Sequence, residues 1–297
     1  MKKYILIIAV VCVTIGMVLI SSAIASAQAA NEFTIPLSDP AKRGKLKAHL
    51  NYGSITVKGT ARKDVLVKYK SVEDGEDEDD DDDDDHERIK VRVNVNTNTK
   101  KDERPSKEGL KKIGGGGLDL EASEYNNFVK VQSDSWNNKI HLEIEVPSGF
   151  DVDVHTYNDG DLVLTNVQGD LELTNYNGEI TALNISGSVV ATTYNGEIKV
   201  TFDKVTEGAP MSYSTYNGDI DITLPATLKA SLKMKTEQGE MFTDFDVKMT
   251  STGPVPIKDT KNGFKIIIDD WKKGDVNGGG AEITIKNYNG DIYVRKK

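Results

Sequence analysis

"TYNDGDLVLTNVQGDLELTNYNGEITALNISGSVVATTYNGEIKV", residues 156–200, repeats one short phrase. Its glycines fall at Gly160, Gly169, Gly178, Gly187 and Gly196, nine residues apart each time. A polar residue follows each one, and an aliphatic residue follows that. Within a unit apolar and polar side chains alternate, as in Leu171-Glu172-Leu173 and Ile198-Lys199-Val200. Period two is the mark of a strand, whose successive side chains point to opposite faces. Asn177-Gly178, Asn195-Gly196 and Asn217-Gly218 supply corners, because both residue types tolerate positive φ. A strand of four or five residues cannot bury an apolar face alone, so units must stack on one another to make a core.

The slot two residues before glycine alternates in kind. Val167 and Ile185 fill it in one set, Tyr176 and Tyr194 in the other, with Tyr157 displaced by the extra Asp159. Two nine-residue units then make one coil of about 18 residues, with tyrosines along one edge and aliphatics along the other. Weaker copies follow at Ser214–Leu224, Thr236–Phe245 and Lys286–Val294, and an early copy lies at Leu50–Val57. The expected fold is all-β, a single-domain β-solenoid (β-helix) over residues 30–297.

Residues 1–29 carry two lysines, an apolar run and two A-x-A sites, the pattern of a secretory signal peptide cut after Ala27 or Ala29. An uncleaved anchor is the alternative. The mature chain would hold no cysteine, since Cys12 is the only one, and no stretch apolar enough to span a bilayer. A net charge of −10 argues against nucleic acid and anionic membrane as partners.

Two interruptions are expected as loops. Residues 72–87 include seven consecutive aspartates, Asp79–Asp85, which repel one another and cannot be buried. Residues 97–127 are polar, with Pro105 and the run Gly114–Gly117. The aspartate run lacks the spaced D-x-D-x-D-G ligands of a defined calcium site, so a solvated loop is expected there, with weak calcium capture left open. No other cofactor or metal is implied.

"IHLEIEVPSG" at Ile140–Gly149, the Y-N-G-E-I series, the closing "NGGGAEITIKNYNGDIYVRKK" at Asn277–Lys297 and the opening "GSITVKGTARKDVLV" resemble a family of exported bacterial adhesin-like proteins. The resemblance covers most of the chain outside the two insertions. It implies a solenoid, right-handed by that likeness alone, and it brings no catalytic motif.

Chemistry is sparse in the residues themselves. No arginine occurs between Arg104 and Arg295, although a lyase acting on acidic sugars needs a cation beside its base. His49, His86, His141 and His155 show no zinc-like spacing, and His155 reads as a surface residue. Lys199, Lys204, Lys233 and Lys235 read as solubilising. Asp161, Glu179, Glu197 and Asp219 form a row fixed by the repeat, so none is singled out as acid or base, and a solvated row is expected. A calcium-binding nonapeptide roll places its acid two positions after glycine, whereas here it follows at once.

Tyr157, Tyr176, Tyr194 and Tyr216 are the candidate binding residues. Sharing a slot with Val167 and Ile185, they are expected to point inward and to cap the core edge with their hydroxyls. The alternative is an exposed platform for glycan rings. The functional expectation is an exported, non-enzymatic structural or interaction protein of the cell surface, exterior or periplasm, binding glycan or protein. Two alternatives stand beside it: a glycan-active β-helix enzyme, and a periplasmic partner or stress sensor that binds protein by strand addition.

Overall fold

The computed structural model describes residues 31–72, 119–250 and 271–297, together with the backbone of 255–259 and 263–267. No helix occurs among the described residues. The chain runs through β1 (Glu32–Pro36), β2 (Lys45–Tyr52), β3 (Ile55–Thr60), β4 (Asp64–Val72), β5 (Glu121–Tyr125), β6 (Phe128–Ser133) and β7 (Lys139–Pro147). Next come β8 (Asp151–Asn158), β9 (Leu162–Thr165), β10 (Asp170–Asn175), β11 (Ile180–Thr192), β12 (Ile198–Val205), β13 (Met211–Ser214) and β14 (Ile220–Leu224). The remainder is β15 (Ala230–Lys235), β16 (Met241–Thr243), β17 (Val247–Thr250), β18 (Val255–Asp259), β19 (Gly263–Ile267), β20 (Lys272–Val276), β21 (Ala281–Lys286) and β22 (Ile292–Lys296).

The period-two pattern becomes burial. In β7, Ile140, Leu142, Ile144 and Val146 are buried while the residues between them are not. Two sheets of mostly parallel strands face each other across one contiguous apolar core. One sheet runs β7, β3, β9, the first half of β11, β12, β14, β22, β16. The other runs β6, β2, β8, β10, the second half of β11, β13, β21, β15. Strand β11 belongs to both. It bends at Asn184, whose φ is 57, and its register with β12 slips there. The sequence units were expected as separate strands, but this corner carries the ladder through.

In the middle of the molecule, Ile180 lies beside Leu162 on one side and Ile198 on the other, 18 residues away in each direction. The offset then grows: Ile198 pairs with Ile220, and Ile220 with Ile292. The last coil in the chain is therefore not the last in space. β21–β22 lie between β13–β14 and β15–β16, which are consecutive in sequence. The opposite end mirrors this, with β2–β3 held between β6–β7 and β8–β9.

Of the polar stretch expected as a loop over 97–127, Glu121–Tyr125 instead forms β5, which pairs antiparallel with β6 as an edge strand. Its alternation is weak, since no residue of β5 is buried. Residues 1–29, the acidic run beyond Val72 and residues 97–118 lie outside the described residues.

Candidate interaction surface

One corner of five coils, at Thr156, Asn175, Thr193, Thr215 and Asn287, is built from the same string: a buried Thr or Asn, an aromatic, an Asn, a Gly and an acid, with Asp159 inserted in the first. The Thr or Asn that opens this corner donates to the glycine carbonyl of the coil stacked beside it. Thr156 reaches Gly53 O at 2.7 Å, Asn175 reaches Gly160 O at 2.9 Å, and Thr193 reaches Gly178 O at 3.0 Å. Thr215 then bonds Gly196 O, Asn287 bonds Gly218 O, and Thr236 bonds Gly290 O. The glycines themselves stack closely. A Cβ on Gly218 would stand 2.3 Å from Gly196 O, and φ there is 129, a region that favours glycine.

This backbone spacing sets the tyrosines face to face. Tyr157, Tyr176, Tyr194, Tyr216 and Tyr288 form one column, with centroid separations of 4.7, 5.1, 4.9 and 4.5 Å and planes within 6° of parallel. Trp136 closes one end, edge-on to Tyr157 at 5.2 Å. Beside the column runs an amide ladder: Asn195 donates to Asn177 Oδ1, Asn217 to Asn195 Oδ1, and Asn289 to Asn217 Oδ1, at 2.7–2.8 Å.

The tyrosines do not point inward. Each is 38–42 % exposed, while Val167 and Ile185 are fully buried. The two corners differ in geometry although their spacing is equal. At the aliphatic corner Asn166 (φ 58) and Asn184 (φ 57) reverse the chain just before Val167 and Ile185, turning those side chains into the core. At the tyrosine corner no residue just before the ring has a positive φ; the first falls two residues after it, on Gly178, Gly196, Gly218 and Gly290 and on Asp159 beside Tyr157, and the ring stays outside. Tyr176, Tyr194 and Tyr216 each have both faces covered by neighbours. What the column offers a ligand is therefore ring edges and hydroxyls. The Tyr216 hydroxyl is pushed above the ordinary phenol range by desolvation, then by Tyr288 and Tyr194.

The acid row is partly engaged in the frame. Asp161 accepts the Glu179 N–H, Asp219 that of Asp291, and Asp291 that of Glu240, each at 2.8 Å. Glu179 and Glu197 remain exposed. Among the described residues no group of three or more His, Cys, Asp or Glu side chains could hold a metal ion. Of the lysines, Lys235 pairs with Glu237 at 2.7 Å, and Lys233 lies over the Trp271 ring. His155 is half-buried rather than a plain surface residue, its ring edge-on to His49 at 4.9 Å. His141 Nδ1 meets the Ser54 hydroxyl. His86 lies outside the described residues.

Residues 37–295 match the Toastrack DUF4097 family. The chain belongs to that family. The likeness read from Ile140–Gly149, the Y-N-G-E-I series and the closing strands is thereby borne out. No curated protein matches this chain. Solved structures similar to it include a "putative cell adhesion protein" from Clostridium sporogenes ATCC 15579, 10% identical, covering 90% of this chain and 100% of that one at a TM-score of 0.40. A "putative adhesin" from Bacteroides fragilis NCTC 9343 is 9% identical, covering 90% of this chain and 96% of that one at a TM-score of 0.34.

Proposed function

We propose that this Toastrack chain is an exported, non-enzymatic interaction protein of the cell envelope or surface, and that the tyrosine ridge is its contact surface for glycan or protein. The observation that carries this reading is the exposure of Tyr157, Tyr176, Tyr194 and Tyr216 in one straight column. Aromatic edges and hydroxyls flanked by an amide ladder present apolar and hydrogen-bonding groups side by side, the combination favoured where a surface must recognise a partner. Export rests on the pattern of residues 1–29. Residues 30–297 form one right-handed solenoid in this reading, with a coil of about 18 residues that the central register offset supports.

A glycan array probed with the protein and with a Tyr176→Ser/Tyr194→Ser/Tyr216→Ser variant tests the ridge. Binding that the variant loses supports the reading, and binding unaffected by the substitutions sinks it. Turnover of any polysaccharide on the array would replace it with the enzymatic alternative. A second reading has its own observation. Strand β16 pairs with β22 on one side and with no other strand among the described residues, an edge suited to strand addition by a protein partner. Cell fractionation separates the two: surface display favours adhesion, and periplasmic retention favours the protein partner.

A further inference from the structure

We propose that the tyrosine column is a site of oxidative modification, at which peroxide-driven one-electron oxidation joins tyrosines of successive coils by carbon–carbon bonds. This does not depend on what the ridge binds.

Coupling of two phenols needs their ring edges close together, open to an oxidant, and held there long enough to react. Stacking along the coil repeat brings like edges together: four successive pairs lie within 5.1 Å between centroids and within 6° of parallel. Exposure of 38–42 % leaves the edges and hydroxyls accessible. The other described tyrosines lack one or other condition. Tyr213 is fully buried, and Tyr125, although 77 % exposed, sits on edge strand β5 away from the stack. Rings in van der Waals contact exchange electrons readily, so a vacancy formed on one ring can travel along the column. Trp136, edge-on to Tyr157, extends that path by one more oxidisable ring.

The reaction balances with hydrogen peroxide as the oxidant. Two phenols each give up one electron and the hydroxyl proton, leaving two phenoxyl radicals. These join at the ring carbons next to oxygen, and the hydrogen on each joined carbon moves to oxygen to restore the aromatic ring. Peroxide takes the two electrons and two protons and leaves as two waters.

Tyr216 and Tyr288 are the closest pair, at 4.5 Å. They join β13–β14 to the intercalated coil β21–β22, across 72 residues of chain. A bond there would restrict the unfolded chain as a disulfide does, in a protein whose single cysteine, Cys12, excludes an internal disulfide.

The test treats the full chain with a haem peroxidase and hydrogen peroxide, alongside a Tyr176→Phe/Tyr194→Phe/Tyr216→Phe/Tyr288→Phe variant that keeps the rings but removes four phenols. Circular dichroism confirms that the variant folds. The expected result has three parts: dityrosine fluorescence in a chain that stays monomeric on a denaturing gel, cross-linked peptides joining column neighbours with Tyr216–Tyr288 foremost, and a higher melting temperature after treatment. The variant should lose the fluorescence. Equal fluorescence in the variant, cross-links that run only between chains or through Tyr125, or no dityrosine at all would each overturn the proposal.

Discussion

The side-chain amide of Asn175 donates to the carbonyl oxygen of Gly160 at 2.9 Å, while its own Oδ1 is buried without a partner. Asn287 repeats the arrangement, bonded to Gly218 O with its Oδ1 likewise unpaired. At the equivalent place Thr156, Thr193 and Thr215 make the same bond with a hydroxyl and strand no acceptor. An unsatisfied buried acceptor costs about 1–3 kcal/mol, so Asn175→Thr and Asn287→Thr should each stabilise the protein by roughly 1 kcal/mol. Thr193→Val instead removes the donor to Gly178 O and should destabilise by about 1 kcal/mol. Urea titrations of the three variants check the signs. A loss of stability in both Asn→Thr variants would show that the amide oxygen is satisfied.

The glycines divide by what stands above them. A methyl group on Gly218 would collide with the Gly196 carbonyl at 2.3 Å in a positive-φ conformation, so neither neighbour nor backbone can relax without opening the stack. Gly218→Ala should cost at least about 3 kcal/mol. Gly149 has nothing within 4 Å of its Cβ position and is not at positive φ. Gly149→Ala should lie within about 0.5 kcal/mol of the parent, or stabilise slightly by restricting the unfolded chain. Thermal melts of the pair give the comparison, and similar costs at both sites would mean that intercoil contact does not decide which glycines are needed.

The strands and the glycine corners were legible because period two and a nine-residue phase are properties of sequence alone. The order of the coils was not. Glycine and a free backbone edge recur in both phrases, and Thr236–Phe245 departs only in carrying Glu237 and Gln238 for tyrosine and asparagine, so the phrase at Lys286–Val294 does not itself say that it stacks under Ser214–Leu224 rather than after Thr236–Phe245. The direction of the tyrosines was misread because Val167 and Tyr176 occupy the same slot relative to glycine. Asn166 and Asn184, each just before an aliphatic, carried the missing signal, asparagine being the side chain that most readily accepts left-handed backbone. Tyr288 could have been added to the site from its Asn-Tyr-Asn-Gly string. Trp136 could not, because it reaches the column from a corner with no repeat phrase of its own.

Tyr194 sits between Tyr176 and Tyr216, and both its faces are in contact. Aromatic pairs contribute about 0.5–1.5 kcal/mol each beyond simple area, so Tyr194→Ala should cost about 1–3 kcal/mol through its two lost contacts. Tyr194→Phe keeps the ring, loses only a partly exposed hydroxyl, and should change stability by less than about 0.5 kcal/mol. Chemical denaturation of both variants measures the difference. If the alanine variant were as stable as the parent, the stack would contribute nothing to folding, and recognition or chemistry would be left as the reason for maintaining it.

His155 gives the fold a pH dependence whose sign follows from its surroundings. Desolvation lowers its pKa first, and neighbouring His49 lowers it further; Asp153 raises it, and Lys47 opposes that in turn. Lys130 and Gln132 from β6, and Glu172 and Thr174 from β10, line the same depression. Asp134 stands 3.8 Å from His49 Nε2. With the folded pKa below the unfolded value near 6.5, the unfolded chain takes up the proton first as pH falls. The stability tied to a neutral His155 is therefore fully present above about pH 6.5 and declines as pH drops from there through the folded pKa. Because the ring is only half-buried the effect is modest, and it is best read as a difference between two proteins. Melts of the parent and His155→Gln between about pH 8 and pH 5 should run parallel above about pH 7 and converge or cross below it, with the parent losing more, since most carboxylates titrate at lower pH. Parallel curves over the whole range would show that His155 is solvated well enough to titrate alike in both states.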